Sequence, residues 1–361
     1  RWSYRTVQPQ NFTKERVGYK TFRLITNSLE DLKLIEISKG RNTDISFDKN
    51  KKTYAPGFAT RFRPTDLLFS IASKYEINPS NIRLHFKTSL PSTVITLKTT
   101  STRLGNNKIK GQQIKLPNND AIVELSKPIR DLNSFLDGFE LSGGLFTGYR
   151  RIFNECDHPQ FNYNKGGRLY CIGSESYQNL KSHERLKLLI DGSPVVEIDI
   201  NASYLTILHQ LNSMELPKTK DIYQIKGIPR EIVKSWVAAT LGHNKFHKTW
   251  SRGIMEDMRS KGIETGKDFT MMRVQEAVLN HFPVLKNWET STIRWSDLMY
   301  QESEAILNTM VSLMGKYKIP SYSVHDSLIV RRKDTKIAKE TLLFEYENQV
   351  GCTPKVKVNS L

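Results

Sequence analysis

The run Val195-Val196-Glu197-Ile198-Asp199-Ile200 constrains the fold more than any other stretch of the chain. Its β-branched residues favour an extended strand, and apolar side chains on both of its faces require that strand to be buried centrally. Asp199 lies at its far end. More than a hundred residues later, KIPSYSVHDSLIVRR reads as strand, tight turn, strand, with apolar runs on each side of His325-Asp326-Ser327. Two aspartates thus stand at the ends of buried strands. A buried carboxylate costs several kcal/mol unless it is paired. A divalent cation shared by Asp199 and Asp326 removes that cost, and two Mg²⁺ ions roughly 4 Å apart are the clamp used for in-line displacement at phosphorus. Between the aspartates in sequence, Pro229 opens a helix that puts Arg230 and Lys234 one turn apart on one face, where they can grip a triphosphate.

The rest of the chain reads as α+β. A helical spacing through Phe22, Ile25, Leu29 and Leu32 or Leu34 leads into a hairpin expected from LIEIS and TDISF, with Lys39 and Arg41 at its tip, a pattern shared with winged helix-turn-helix units. Further helices are expected after Pro64, near 127–137, over 298–315 and over 335–348, with a strand in STVITLKTTS and a last one at 354–359. The stretch SGGLFTGYRR suggests a loop carrying Arg150 and Arg151 toward phosphates. Residues 1–150 are expected to form a basic nucleic-acid-binding region and 151–361 a second domain with an insertion at 210–295.

Charge supports that division. The chain has 54 basic and 37 acidic residues, a net +17. The first 150 residues hold 25 basic against 13 acidic side chains, and so carry +12 of that excess. Such an imbalance attracts polyanions through counterion release, making nucleic acid the leading partner and an anionic membrane surface the second. Cys156, Cys171 and Cys352 are odd in number, far apart and in no CxxC spacing, which disfavours a disulfide framework or a structural zinc site and implies a reducing setting. No run of about 18 apolar residues exists. The N-terminus, RWSYRTVQPQ, lacks the apolar core of a secretory signal, so a cytoplasmic location without membrane attachment is expected. His243 and His247 share a helix face without further ligands, and Cys156-Asp157-His158 lacks the context of a nucleophilic dyad.

From Gly167 to His209 and again around Asp326 the chain resembles the palm of family A DNA polymerases, the DNA polymerase I type. Gly167-Arg168-Leu169 is similar to the TGRL element, and Tyr177-Gln178-Asn179-Leu180 to the LQN segment after it. Arg185 stands where basic residues precede motif A. DINASYLTILH resembles motif A, Arg230-x₃-Lys234 motif B and VHDS motif C, while MYQESEAILNTM resembles the glutamine-bearing helix ahead of motif C. The resemblance implies a palm with fingers helices. It implies that Asp199, Asp326 and the backbone carbonyl of Ile200 hold two Mg²⁺ ions, for which Mn²⁺ can substitute. Arg230 and Lys234 would bind the triphosphate, His325 would lie beside the primer terminus, and Arg168, Gln178 and Gln301 would contact primer or template. DNA template, primer and dNTPs are the implied partners, with room for a helicase or small accessory protein.

Three departures matter. Gly242 follows Lys234 by eight positions and is preceded by Leu241, so the ring that stacks on the incoming base is missing or supplied by another residue such as Trp236 or Phe246. Tyr204 replaces the motif A Glu, a spacing similar to that of family B polymerases, where a tyrosine crowds the sugar 2′ position. A compact basic region replaces the proofreading exonuclease and long thumb. A short palm of this kind is similar to the primase-polymerases of mobile elements such as staphylococcal cassette chromosomes, for which Arg150/Arg151 or the loop at 163–168 are candidates for an initiating-nucleotide site. Two alternatives stay open: a primase or RNA polymerase using rNTPs, and a DNA-binding replication initiator with a degenerate palm.

Overall fold

The computed structural model describes all residues except 1, 6, 13–16, 42–57, 80, 87–88, 105–106, 174 and 267. The protein is α+β, and its residues group into two compact units. The first comprises residues 1–138, 145–163 and 170–179; the second comprises 139–144, 164–169 and 180–361.

In the first unit, β1 (Ser3–Arg5), β3 (Thr60–Pro64) and β2 (Ile35–Ser38) form an antiparallel sheet in that order, accompanied by α1 (Tyr19–Asp31) and α2 (Asp66–Lys74). Strand β2 pairs with β3; residues 43–47, expected as its hairpin partner, lie outside the described residues. Thr65 caps α2 by accepting a hydrogen bond from Leu68 N–H. A short helix α3 (Ile82–His85) leads to β4 (Ile95–Lys98), whose first three residues are buried. A ribbon of β5 (Thr102–Leu104) and β6 (Asn107–Ile109) precedes β7 (Gln113–Ile114), which pairs with β4.

Helix α4 (Asp120–Leu136) begins well before the expected 127, because Asn119 Oδ1 accepts the Ile122 N–H and starts the helix there. Pro128 therefore sits inside the helix rather than opening it, and Ile122, Ile129, Leu132 and Leu136 form its buried stripe. After β8 (Leu141–Ser142), a two-residue strand of the second unit, β9 (Tyr149–Phe153) runs parallel to β4. Arg150 and Arg151 thus lie on a strand, not in a loop: the glycine-rich turn ends at Gly148, and YRRIF alternates buried and half-buried positions. The border expected at 150/151 falls within β9. Strand β10 (Gly166–Cys171) runs from the second unit into the first.

The second unit follows from its central strand. After α5 (Ser182–Arg185) and β11 (Leu189–Ile190), β12 (Ser193–Ile200) buries Val195, Val196, Ile198 and Ile200. Both its edges are used. Along one, β11 pairs with residues 193–194 and β15 (Val356–Asn359) with residues 197–200; along the other lies β14 (Ser327–Arg331), itself paired with β13 (Ser321–Val324). Strands satisfied on both edges and faces read as continuous apolar runs, which is why VVEIDI and SLIV look as they do. Helix α6 (Ser203–Leu211) follows β12, and α7 (Arg230–Leu241), α8 (Arg252–Ser260) and α9 (Met271–His281) lie within residues 210–295. The long α10 (Trp295–Ser312) packs on α6 and on α11 (Thr335–Val350). The three cysteines are free. Among the described residues no helix is long and apolar enough to cross a membrane.

Candidate catalytic site

Asp199 and Asp326 meet through the strand register of the second unit. Asp199 pairs with Ser327 of β14, the residue after Asp326, and with Lys357 of β15 on its other side. Ile200 N–H donates to the Asp326 carbonyl oxygen at 3.2 Å, pinning the strand end to the turn. That turn has only two residues between the paired Val324 and Ser327, and His325 takes a left-handed conformation, φ 56°, to close it. The two aspartates, 127 positions apart in the chain, therefore occupy one sheet end.

Their electrostatics are those of two neighbouring buried carboxylates, which could hold a cation. Burial pushes both carboxyls up to about 6. For Asp199 the Asp326 and Glu197 carboxylates add to the rise, while Lys234 and Lys357 oppose it. For Asp326 the Glu302 carboxylate adds, with Arg168 and Lys234 opposing. Oxygen donors alone suit a hard divalent ion such as Mg²⁺, which binds through one or two carboxylates and takes its other ligands from water and phosphate. Among the described residues no group of three or more His, Cys, Asp and Glu encloses a metal, so such an ion would draw its remaining ligands from outside the side chains.

Two buried ion pairs flank the aspartates, and neither is visible as a pair in the sequence. Arg185 grips Glu197 with Nε at 3.1 Å and Nη2 at 2.7 Å, and Ser327 Oγ donates to the same carboxylate at 2.7 Å. Glu197 stands two residues before Asp199, hence on the same face of β12. Arg168 is ion-paired with Glu302 of α10, and its guanidinium carbon lies 5.6 Å from the Tyr204 ring centre. Tyr204, on α6, is half-buried rather than a core aromatic. His325 is pushed below its ordinary range by partial burial and then by the charges of Arg168 and Arg185, and is neutral at pH 7.

Arg230 and Lys234 differ. Arg230 opens α7 with its guanidinium bonded to Asp221 and placed over the Tyr223 ring, whereas Lys234 is exposed and acts electrostatically on both aspartates. Gln301 on α10 accepts a hydrogen bond from Gln349 of α11 at 2.7 Å. Gln178 belongs to the first unit, where its Oε1 accepts the Cys171 N–H at 2.8 Å. Trp236 is fully buried with Phe246 stacked beside it, so the Trp236 ring is core and only half-buried Phe246 presents an aromatic edge. Missed by sequence reasoning were Glu197, Glu302 and Lys357; charged residues in otherwise apolar surroundings at 197 and 302 were the available signal.

The raised carboxyls fix a sign. Between their unfolded values near 4 and their folded values near 6 the native state binds more protons, so without metal the contribution of these groups to stability falls as pH rises through that window. A Mg²⁺ ion held by these carboxylates would compete with protons for the same oxygens. The Mg²⁺-induced rise in Tm is expected to be near zero at pH 5 and to reach a few degrees at pH 7.5. Thermal scans with Mg²⁺ or EDTA check this, and a shift independent of pH would place the ion elsewhere.

No family model matches the chain, and no curated protein does. Among solved structures, the POL domain of Pol1 from M. smegmatis, in complex with DNA primer-template and dNTP, aligns with a TM-score of 0.34 and 12% identity over 66% of this chain and 51% of that chain. The chain thus spans about half the length of that neighbour, a likeness weak enough that the geometry of the aspartate pair alone carries the functional reading.

Proposed function

We propose that the protein is a template-directed DNA polymerase, adding dNTPs to a 3′-hydroxyl by two-metal nucleotidyl transfer, with the second unit as palm and fingers and the first as a basic nucleic-acid-binding region. The observation that carries the reading is the meeting of Asp199 and Asp326 at one sheet end with Lys234 acting on both. When bound there, divalent ions lower the pKa of the attacking hydroxyl and neutralise the triphosphate. Asp199, Asp326 and the Ile200 carbonyl would hold them. Lys234 meets the departing pyrophosphate, and Arg230 joins it by exchanging Asp221 for phosphate oxygens. Neutral His325 stands by the primer terminus without competing for phosphate. Tyr204, braced by Arg168, crowds the sugar 2′ position, and Gln301, Arg168 and Gln178 contact primer or template. The narrower reading is a primase-polymerase of a mobile element.

The test uses a single-stranded template with labelled dNTPs or rNTPs, with and without a primer, in Mg²⁺ and in Mn²⁺. Template-dependent extension by dNTPs is the expected result; incorporation only of rNTPs would favour a primase, and none with either metal a degenerate palm. Tyr204→Ala is expected to raise rNTP relative to dNTP incorporation about tenfold, because one steric contact of this kind discriminates by about 1–3 kcal/mol. An unchanged ratio would remove Tyr204 from the sugar contact.

A further inference from the structure

The two faces of the β1-β3-β2 sheet in the first unit are unlike. In its register Tyr4 lies opposite Arg61 and Arg61 opposite Ser38, while Arg63 lies opposite Glu36. Trp2, two residues before Tyr4, joins them on the same face, because side chains alternate along a strand. Its ring meets both arginines: the Arg63 guanidinium lies 4.9 Å from the ring centre and that of Arg61 5.4 Å. The alternate residues turn toward α1. Phe62 packs edge-on against Phe22 with ring centres 5.9 Å apart, and the Arg5 guanidinium lies over Phe12 and Phe22. The Trp2 and Tyr4 face meets water instead: Tyr4 is 67% exposed and the Arg63 side chain 47%. Its two arginines differ in charge balance. Arg63 is ion-paired with Glu36 at 2.6 Å, whereas Arg61 donates to a neutral acceptor, Ser38 Oγ, at 3.0 Å. A guanidinium lying against an indole keeps N–H groups at its edge for an anion.

Two rings with arginine between them, on a sheet face of a region carrying +12, suit a polyanion whose flat groups are free to stack. The spacing decides which polyanion. Same-face neighbours on one strand stand about 6.8 Å apart, about twice the 3.4 Å rise per nucleotide of a duplex strand. Bases seated on both rings must therefore come apart from each other, which an unpaired strand allows and a duplex does not. We propose that single-stranded nucleic acid lies across this face, with bases stacked on Trp2 and Tyr4 and a phosphate held by Arg61. The proposal deepens the reading of the first unit as a nucleic-acid-binding region and rests on it, but it needs neither aspartate nor metal.

The test is fluorescence anisotropy on the full chain in EDTA, with a labelled dodecathymidylate in one arm and a blunt duplex of the same length in the other. Trp2→Leu and Tyr4→Leu should each weaken single-strand binding about 5–100-fold, the loss of one stacked base, and leave duplex binding within about twofold. Trp2→Phe keeps a ring and should recover most of the loss. Arg61→Gln should reduce the slope of log K against log salt for the single strand by about 0.7, one phosphate contact fewer. Circular dichroism confirms that the variants are folded. Absence of single-strand binding by the parent overturns the nucleic-acid reading of the first unit and this proposal with it. Parent-like binding by both leucine variants overturns the proposal alone, leaving the basic region's role intact. Equal losses on single strand and duplex also overturn it, because a stacking face does not read paired bases.

Discussion

Asp326→Asn is expected to lower Mg²⁺-dependent primer extension by about 10²–10³-fold, the cost of removing one group that stabilises developing charge on phosphate and leaving oxygens. DNA affinity should stay within about threefold, since the substitution removes no cation that neutralises phosphate. Asparagine keeps the shape of the side chain, so the two-residue turn and the Ile200 N–H bond to the residue 326 carbonyl persist. Stability supplies an independent sign. Burial raises the Asp326 carboxyl to about 6, which means that above that pH its charge works against the fold. In EDTA at pH 8 the Asn variant should therefore melt higher than the parent, and it should lose most of the Tm gain that Mg²⁺ gives the parent. A carboxylate that destabilises the protein alone and is required for turnover is present for its chemistry. Equal extension by parent and variant would remove the central claim; a lower Tm in EDTA would show that Asp326 holds the turn instead.

The aspartate pair was legible because each residue ends an apolar run, and such runs have few ways to fold. Periodicity also located α10 and α11 to within a few residues, since their buried stripes are long, and the last strand expected at 354–359 is β15. What the sequence hid was pairing. Nothing in VKVN indicates that β15 shares an edge of β12 with β11, or that Lys357 faces Asp199, because main-chain hydrogen bonds carry no side-chain code. The same gap hid β3, which pairs with β2 from more than twenty residues away, while the hairpin partner expected in TDISF lies outside the described residues. The helix expected near 127–137 begins two turns earlier, at the Asn119 cap. Arg150 and Arg151 read as one basic patch, yet strand alternation sends one into the core and the other to a cavity. The ion pairs were hidden for a related reason: Arg168 and Glu302 are 134 residues apart, and neither has a local signal that names the other.

Arg185→Leu is expected to destabilise the protein by about 3–5 kcal/mol, the cost of leaving a buried carboxylate without its partner. Glu197 is 4% exposed, and its two oxygens are occupied by the Arg185 fork and Ser327 Oγ. Ser327 alone offers one neutral donor, which does not replace a charge-assisted, two-bond contact. The loss should appear in urea unfolding as a lower midpoint with an unchanged slope. Replacing both partners, Arg185→Leu with Glu197→Leu, should recover much of it, because the expense lies in the stranded charge rather than in the absence of the pair. Turnover should follow a different order. Glu197 lies under Asp199 on β12 and reaches across to Ser327, which faces Asp199, so this bridge would set the spacing of the two carboxylates proposed to hold metal. The double variant, though stable, should therefore extend primers about 10–100-fold more slowly than the parent, the range for groups that orient metal ligands. If the stabilised double variant keeps full activity, the strand pairing alone sets that spacing, and Glu197 serves only the fold.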